Sequence, residues 1–190
     1  MTKIAIMESL GVSREELLRL EEPFLDRNCI FESFDRTADA EKLIEEARDA
    51  DAMIIANMPL SAQVIEGCKK LKFIDIAFTG VDHVAMDAVR AQNIIASNAS
   101  GYSNEAVAEL ALGMAIALMR NISAVERRCR EGKTKEGLVG FELAGKTVGI
   151  IGLGRIGRRS AQLFHALGCD VISHSRTIHP DRPEYVREVE

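Results

Sequence analysis

The chain has 190 residues, 47% of them hydrophobic, which is enough for one full core or two small ones. Its 29 acidic and 24 basic residues leave a net charge of -5 with no basic run longer than a pair, which excludes an electrostatic footprint for nucleic acid or an anionic membrane and points to a small-molecule partner. The cysteines Cys29, Cys68, Cys129 and Cys169 form no C-x-x-C pair, no His stands at metal-ligand spacing, and the start has no signal-peptide pattern, so reduced thiols in a cytoplasmic, metal-free protein are expected.

Strand and helix signals alternate from the N-terminus. Lys3 to Met7 reads as a strand, and Ser13 as the N-cap of a helix carrying Leu17, Leu18, Leu20 and Leu25, with Glu16 completing a capping box. Cys29 to Phe34 reads as a second strand, Ala38 to Arg48 as a second helix and Ala52 to Ala56 as a third strand. That third strand is apolar on both faces, the mark of a parallel sheet covered by helices on both sides. Pro59 breaks the pairing and Ser61 caps a helix over Ala62 to Lys69, after which Phe73 to Phe78 and Asn93 to Ser97 supply two more strands.

Ligands of such sheets gather at the carboxyl ends of the strands, where Asn57-Met58 and Thr79-Gly80 fall. Gly80 there either makes the turn or, having no Cβ, leaves neighbouring N–H groups open to an anion such as a carboxylate. Asn98 to Ser103 is a cluster of small and turn-forming residues, so a domain boundary and hinge are placed there, with 1–98 and 99–190 as the two domains. Ser103 then caps one long helix from Asn104 to about Arg130. Its first half is apolar on nearly every side and needs a second surface, from the other domain or another subunit, while its second half is charged. The apolar stretch Ala106 to Met119 carries Glu109 and is shorter than the ~20 residues of a membrane span.

A loop over residues 132–146 leads to Thr147 to Ile151, a buried strand that stops at a glycine cluster and restarts as a helix. Gly152, Gly154 and Gly157 fit G-x-G-x-x-G, in which the first glycine makes the turn, the second admits a pyrophosphate and the third lets helix and strand pack closely. Free N–H groups at the helix start face the phosphates. The helix stops at Gly168, and Asp170 to His174 follows as the next strand.

Several linked motifs resemble one family. They are Phe78-Thr79-Gly80-Val81-Asp82-His83, Gly101-Tyr102-Ser103-Asn104-Glu105-Ala106-Val107-Ala108-Glu109, Arg120-Asn121-Ile122, and the run from Leu143 through the glycines to Gly157. Together they look like the D-isomer-specific 2-hydroxyacid dehydrogenases, the group that contains phosphoglycerate dehydrogenase and the glyoxylate and hydroxypyruvate reductases. The resemblance implies an α/β protein: a flavodoxin-like parallel-sheet substrate domain followed by a partial, truncated Rossmann dinucleotide-binding domain. It also implies hydride transfer between nicotinamide and a small 2-hydroxy or 2-oxo acid. Thr79 and Gly80 fall where the family's backbone holds the substrate carboxylate, Val107 beside the nicotinamide, and Arg155 and Ile156 at the pyrophosphate. The helix from Asn104 resembles the family's homodimer-forming element.

Two features depart from the family pattern. Where an NAD enzyme presents an acid for the ribose 2′-OH, this chain reads Ser173-His174-Ser175-Arg176. Ser175 and Arg176 suit a 2′-phosphate, so NADP is favoured over NAD, the alternative being a solvated arginine. Asp170 lies at the wrong end of the strand for the ribose.

The family's catalytic arginine, glutamate and histidine also have no match within these residues, and His83, His165, His174 and His179 are assigned to structure or solvent. The expectation is an N-terminal fragment of the enzyme that is itself inactive, with no catalytic residue of its own. The sheet faces of Ile150, Val171 and Ile172 are expected to be uncovered, and Pro180 to Glu190 to be a polar tail. A non-enzymatic dinucleotide-binding or dimerisation module is the alternative.

Overall fold

The computed structural model describes residues 1–177 and 180–189; His179 and Glu190 lie outside the described residues. The chain divides into two compact units, Met1–Ser100 and Gly101–Glu190.

The first unit holds β1 (Thr2–Ile6), α1 (Arg14–Leu25), β2 (Cys29–Ser33), α2 (Ala40–Ala47), β3 (Ala52–Ile55), α3 (Ala62–Gly67), β4 (Phe73–Ile76), α4 (Met86–Ala91) and β5 (Ile95–Asn98). Its sheet has the order β2-β1-β3-β4-β5, every pair parallel, which is the flavodoxin-like winding with a switch point between β1 and β3. The core lies under α2, α3 and α4: Ala5, Met7, Met53, Ile55, Ile74 and Ile76 from the strands meet Leu43, Ala47, Val64, Ile65 and Val89 from the helices. Right-handed crossovers place α1 on the opposite face, where Phe24 meets Phe31 edge-on at 6.3 Å.

Helix ends follow the sequence only in part. Ser13 accepts the Glu16 N–H at 3.1 Å, but the reciprocal half of the capping box is missing because the Glu16 carboxylate turns to Arg19. Asp39 caps α2 by accepting from Glu41 and Lys42. The short α4, which the pattern of the sequence did not announce, packs Ala88 and Val89 inward.

The second unit holds α5 (Asn104–Met119), α6 (Ile122–Arg130), β6 (Thr147–Ile151), α7 (Arg155–Ala166), β7 (Asp170–His174) and β8 (Val186–Glu188), with a parallel sheet of order β6-β7-β8. The expected single helix from Asn104 to Arg130 is two helices bent by 60°. Asn121 takes the left-handed conformation at φ 55°, and the Met119 carbonyl, which would continue the helix ladder, accepts the Phe141 N–H at 2.8 Å. The loop comes so close there that a Cβ on Gly140 would stand 2.1 Å from the Met119 oxygen. The Ser103 carbonyl accepts the Val107 N–H at 2.9 Å, but its side chain does not cap α5 among the described residues. Among the described residues, no single helix is long and apolar enough to cross a membrane.

Two further expectations are corrected. The segment after Pro180 is not only a polar tail: Val186 is buried and β8 pairs with β7 from Val171 to Ser173. Val171 is therefore covered, by β8 and by the α7 side of the core, and Ile150 and Ile172 are half-buried. The exposed apolar residue of this sheet is Ile151, 91% accessible at the end of edge strand β6.

On the amino edge of the first sheet, Asp51 joins three strands. Its carboxylate accepts from Lys72 Nζ at 2.7 Å and from the Lys3 N–H at 3.1 Å. The Lys72 contact, then the Lys3 N–H, hold the Asp51 carboxyl below the usual carboxylate range. A depressed folded pKa contributes stability above the unfolded value of about 3.9, and that contribution is lost as pH falls through the folded pKa. Asp51→Asn should thus lower the urea midpoint at neutral pH, and its difference from wild type should shrink once the pH drops below about 4.

Candidate dinucleotide and carboxylate sites

In the second unit, β6 leads into the glycine turn because each glycine meets a different constraint. Gly152 has φ +90°, a conformation other residues rarely adopt, and its N–H donates to the His174 carbonyl at 2.8 Å, extending the β6–β7 ladder by one bond. At Gly157 a Cβ would lie 2.1 Å from the Gly152 oxygen and 3.2 Å from Ile150 Cγ2, so only glycine lets α7 close on β6. Gly154 has neither reason: its φ is -74° and a Cβ there would meet nothing within 4 Å. Among the described residues nothing requires a glycine at that position; close approach by a ligand would.

Gly154 is also the N-cap of α7 and supplies no side-chain cap, so the first-turn N–H groups of a 12-residue helix are left for another acceptor. The turn opens onto a cavity of about 510 Å³ lined by Ile151, Gly152, Leu153, Gly154, His174, Ser175, Arg176 and Thr177. The structure thus brings Gly152, Gly154, Ser175 and Arg176 around one space, with Arg155, Ile156 and Gly157 as the first turn of α7 beside it. Ser175 Oγ accepts the Leu153 N–H at 2.9 Å, which fixes the glycine turn and leaves the hydroxyl proton to donate elsewhere. Arg176 is exposed and makes no hydrogen bond or ion pair among the described residues. The wall has no carboxylate among the described residues, and Asp170 lies at the far end of β7.

Val107 does not line this cavity. It lies in the first turn of α5, which an Arg159–Glu105 ion pair at 2.6 Å fastens to α7, and Arg155 Nη1 lies against Gly101. Ile151, His174 and Thr177 are wall residues that sequence reasoning did not select. His174 was readable as a strand end pointing toward the ribose position, but its partner, the Val189 carbonyl 3.2 Å from Nδ1, depends on β8.

In the first unit, Thr79 and Gly80 sit past the end of β4. Asn98 Nδ2 donates to the Thr79 carbonyl at 2.6 Å, and the Ala99 N–H reaches the carbonyls of Ile76 and Phe78 at 3.1 Å, so the end of β5 holds the turn. Gly80 has no positive φ, and a Cβ would find only Asp82 Oδ2 at 3.7 Å, so turn geometry does not demand glycine here. Among the described residues, the N–H groups of Gly80 and Val81 donate to nothing. Open backbone donors beside a vacant Cβ position are what an incoming carboxylate requires.

His83 and His165 are engaged elsewhere, while His174 lines the cavity beside the glycine turn. His83 stands edge-on to Phe78 at 6.1 Å with a buried, unpartnered Nε2, and His165 stacks on Tyr185 at 4.1 Å. No group of metal-binding side chains occurs among the described residues.

Two parallel-sheet α/β units, the second with G-x-G-x-x-G between its first strand and the helix that follows, define the class as α/β proteins of the doubly wound, Rossmann-like kind. More narrowly, the chain belongs to the D-isomer specific 2-hydroxyacid dehydrogenase family, whose catalytic-domain model matches residues 4–176. D-3-phosphoglycerate dehydrogenase of Methanocaldococcus jannaschii is 37% identical over 136 residues, covering 70% of this chain and 26% of that protein. The NAD-dependent formate dehydrogenase of Staphylococcus aureus, solved in complex with NAD, superposes with a TM-score of 0.84 at 25% identity, over 100% of this chain and 60% of its own. An acyclic imino acid reductase solved with NADPH and D-Arg shares the fold at a TM-score of 0.86 and 23% identity, again over 100% of this chain and 60% of that one. The chain therefore spans about a quarter of the curated relative's length.

The steric contrast between the glycines gives a direct check. Gly157→Ala should lower the stability of the second unit by about 1–3 kcal/mol through a backbone clash, whereas Gly154→Ala should leave the melting temperature within about 1 °C of wild type. Calorimetry on both variants measures the difference.

Proposed function

We propose that this chain supplies the substrate and cofactor surfaces of an NAD(P)-dependent oxidoreductase that moves a hydride between nicotinamide and a small 2-hydroxy or 2-oxo acid. The observation that carries this reading is Gly154, a glycine that packing and φ leave unexplained, at the uncapped start of α7. Gly152, Gly154, Arg155, Ile156 and Gly157 hold the pyrophosphate, Val107 lies beside the nicotinamide, and the Gly80 and Val81 N–H groups with Thr79 hold the substrate carboxylate. The cofactor would supply the hydride; the chain binds and orients.

NADPH is the favoured form. Among the described residues Arg176 is an uncommitted cation on a wall without carboxylates, and the Ser175 hydroxyl proton is left to donate, so a 2′-phosphate gains charge-assisted bonds. Titration calorimetry should find NADPH bound more tightly than NADH, with Arg176→Asp reversing the order and Gly154→Ala weakening both by about tenfold or more. None of the described histidines is placed as a proton donor, so the purified 190-residue chain should bind NADPH without oxidising it in the presence of glyoxylate or hydroxypyruvate. Equal affinity for the two cofactors, or measurable turnover, would count against this reading.

The same chain forms a homodimer through α5 in this proposal, in a reducing cytoplasmic compartment that suits its free cysteines. Leu110, Met114 and Leu118 form an exposed stripe along α5, with Leu118 78% accessible. Light scattering should give twice the 20.9 kDa chain mass, and Leu118→Glu should return the monomer while α-helix content stays unchanged.

A further inference from the structure

His174 ends β7 on the wall of the cavity beside the glycine turn, together with Ser175 and Arg176. Its Nδ1 stands 3.2 Å from the Val189 carbonyl. A carbonyl oxygen can only accept, so Nδ1 carries the hydrogen and the tautomer is fixed. Nε2 bonds to nothing among the described residues and is the nitrogen available to a ligand. On the neutral ring Nε2 is an acceptor, and on the imidazolium it is a donor bearing positive charge.

The elements around the ring hold it without neutralising it. Its in-register partner on β6 is Ile151, which carries no charge. On β8, Glu188 stands opposite Ser173 and so lies on the other face of the sheet, where Arg182 pairs with it at 3.3 Å. Arg187, opposite Ile172, shares the face of His174. Asp170 shares that face too, but four residues down the strand, about 13 Å away. On α7, Arg155 lies against Gly101, and Arg158 and Arg159 are paired with Asp181 and Glu105. The carboxylates of these elements are thus distant or paired, and the cavity wall adds one cation, Arg176.

The two nicotinamide cofactors present opposite chemistry at such a ring. A 2′-phosphate is an anion that accepts, whereas the 2′-hydroxyl of NAD can donate. Neutral His174 suits the hydroxyl and turns a lone pair toward a phosphate; the imidazolium joins Arg176 as a second cation.

Resting on the proposed 2′-phosphate site, we propose that His174 makes the choice of cofactor depend on pH: Nε2 accepts from the ribose 2′-hydroxyl of NAD when the ring is neutral and donates to the 2′-phosphate of NADP when it is protonated. Histidine is the side chain whose charge changes between pH 5 and 8, so the change falls in the range where a cell operates.

The test is titration calorimetry of the whole chain with NADP+ and NAD+ across a pH series, repeated on His174→Asn, which keeps a donor near the Nδ1 position and deletes Nε2. In wild type the affinity ratio, NADP+ over NAD+, should rise about tenfold between about pH 8 and pH 6, the value of one charge-assisted hydrogen bond. A phosphate monoester loses charge over the same range, its second pKa being about 6, so in His174→Asn the ratio should stay level or fall. Imidazole NMR supplies a readout that a merely structural histidine would not move. Saturating NADP+ should raise the midpoint of the His174 titration by about one pH unit, as linkage requires of a tenfold effect, and NAD+ should not raise it. A ratio that follows pH alike in both proteins, or a midpoint that NADP+ leaves in place, overturns the role of His174 while the 2′-phosphate site stands. If NADP+ binds no better than NAD+ at any pH, in wild type and His174→Asn alike, that site itself is misassigned and this inference falls with it.

Discussion

All strands of both sheets run parallel to their neighbours, and that constraint organises everything else. A parallel sheet has no hairpins, so every strand exit falls on one edge and the returns cross a face, through a helix in each case but β7 to β8, where none occurs among the described residues. The exits are where backbone N–H groups stop being used by the ladder. They are consequently positions where the main chain of these units offers donors to something else without unravelling a sheet.

The two units hold their exits in different ways. In the second, the device is steric and made of backbone: Gly157 permits contact between α7 and β6, the Gly152 N–H extends the ladder to His174, and the Ser175 hydroxyl pins the Leu153 N–H. In the first, it is a buried charge. A carboxylate with 3% exposure is tolerable only when its lone pairs are filled, and Glu8 fills them with Ala56, Met58 and Arg36. That arrangement locks the β3 exit at the switch point, and the bonds from Leu60 to His83 and from Ala85 to Leu60 pass the order on to the β4 exit. The turn at Thr79 is then fixed from its other side by Asn98.

Much of this was readable in the sequence, and the reasons are local. Apolar runs such as Ala52 to Ile55 and Thr147 to Ile151 are bounded by turn residues, and the three glycines have an unambiguous spacing. What escaped detection depends on residues distant in the chain. The break at Asn121 is invisible in an apolar window because its cause is a loop at Gly140, nineteen positions later. Strand β8 is three residues long and follows a polar stretch, so only its pairing with β7 declares it. Glu8 went unselected because its partners lie 28 to 50 residues away. The α4 helix was hidden by being too short for a periodicity to show.

Helix α5 presents the opposite case, in which the sequence was explicit and the chain alone does not fulfil it. Its residues are apolar on nearly all sides, yet Ala108 is its only buried residue, while Leu110, Met114 and Leu118 face outward. The inner side has a sufficient partner in α7, through Leu112 and Ala115 in the core of the second unit and the Glu105–Arg159 pair at its first turn. No constraint of folding within the unit explains the outer side, since a solvated helix face of this length is stable with charged residues, as α6 demonstrates immediately after it. An outer stripe of leucine and methionine costs solubility unless it is covered, and it runs along the same helix whose first turn is fixed beside the start of α7. Any surface that covers α5 therefore also bears on the helix that the Glu105–Arg159 pair ties to α7 beside the glycine turn.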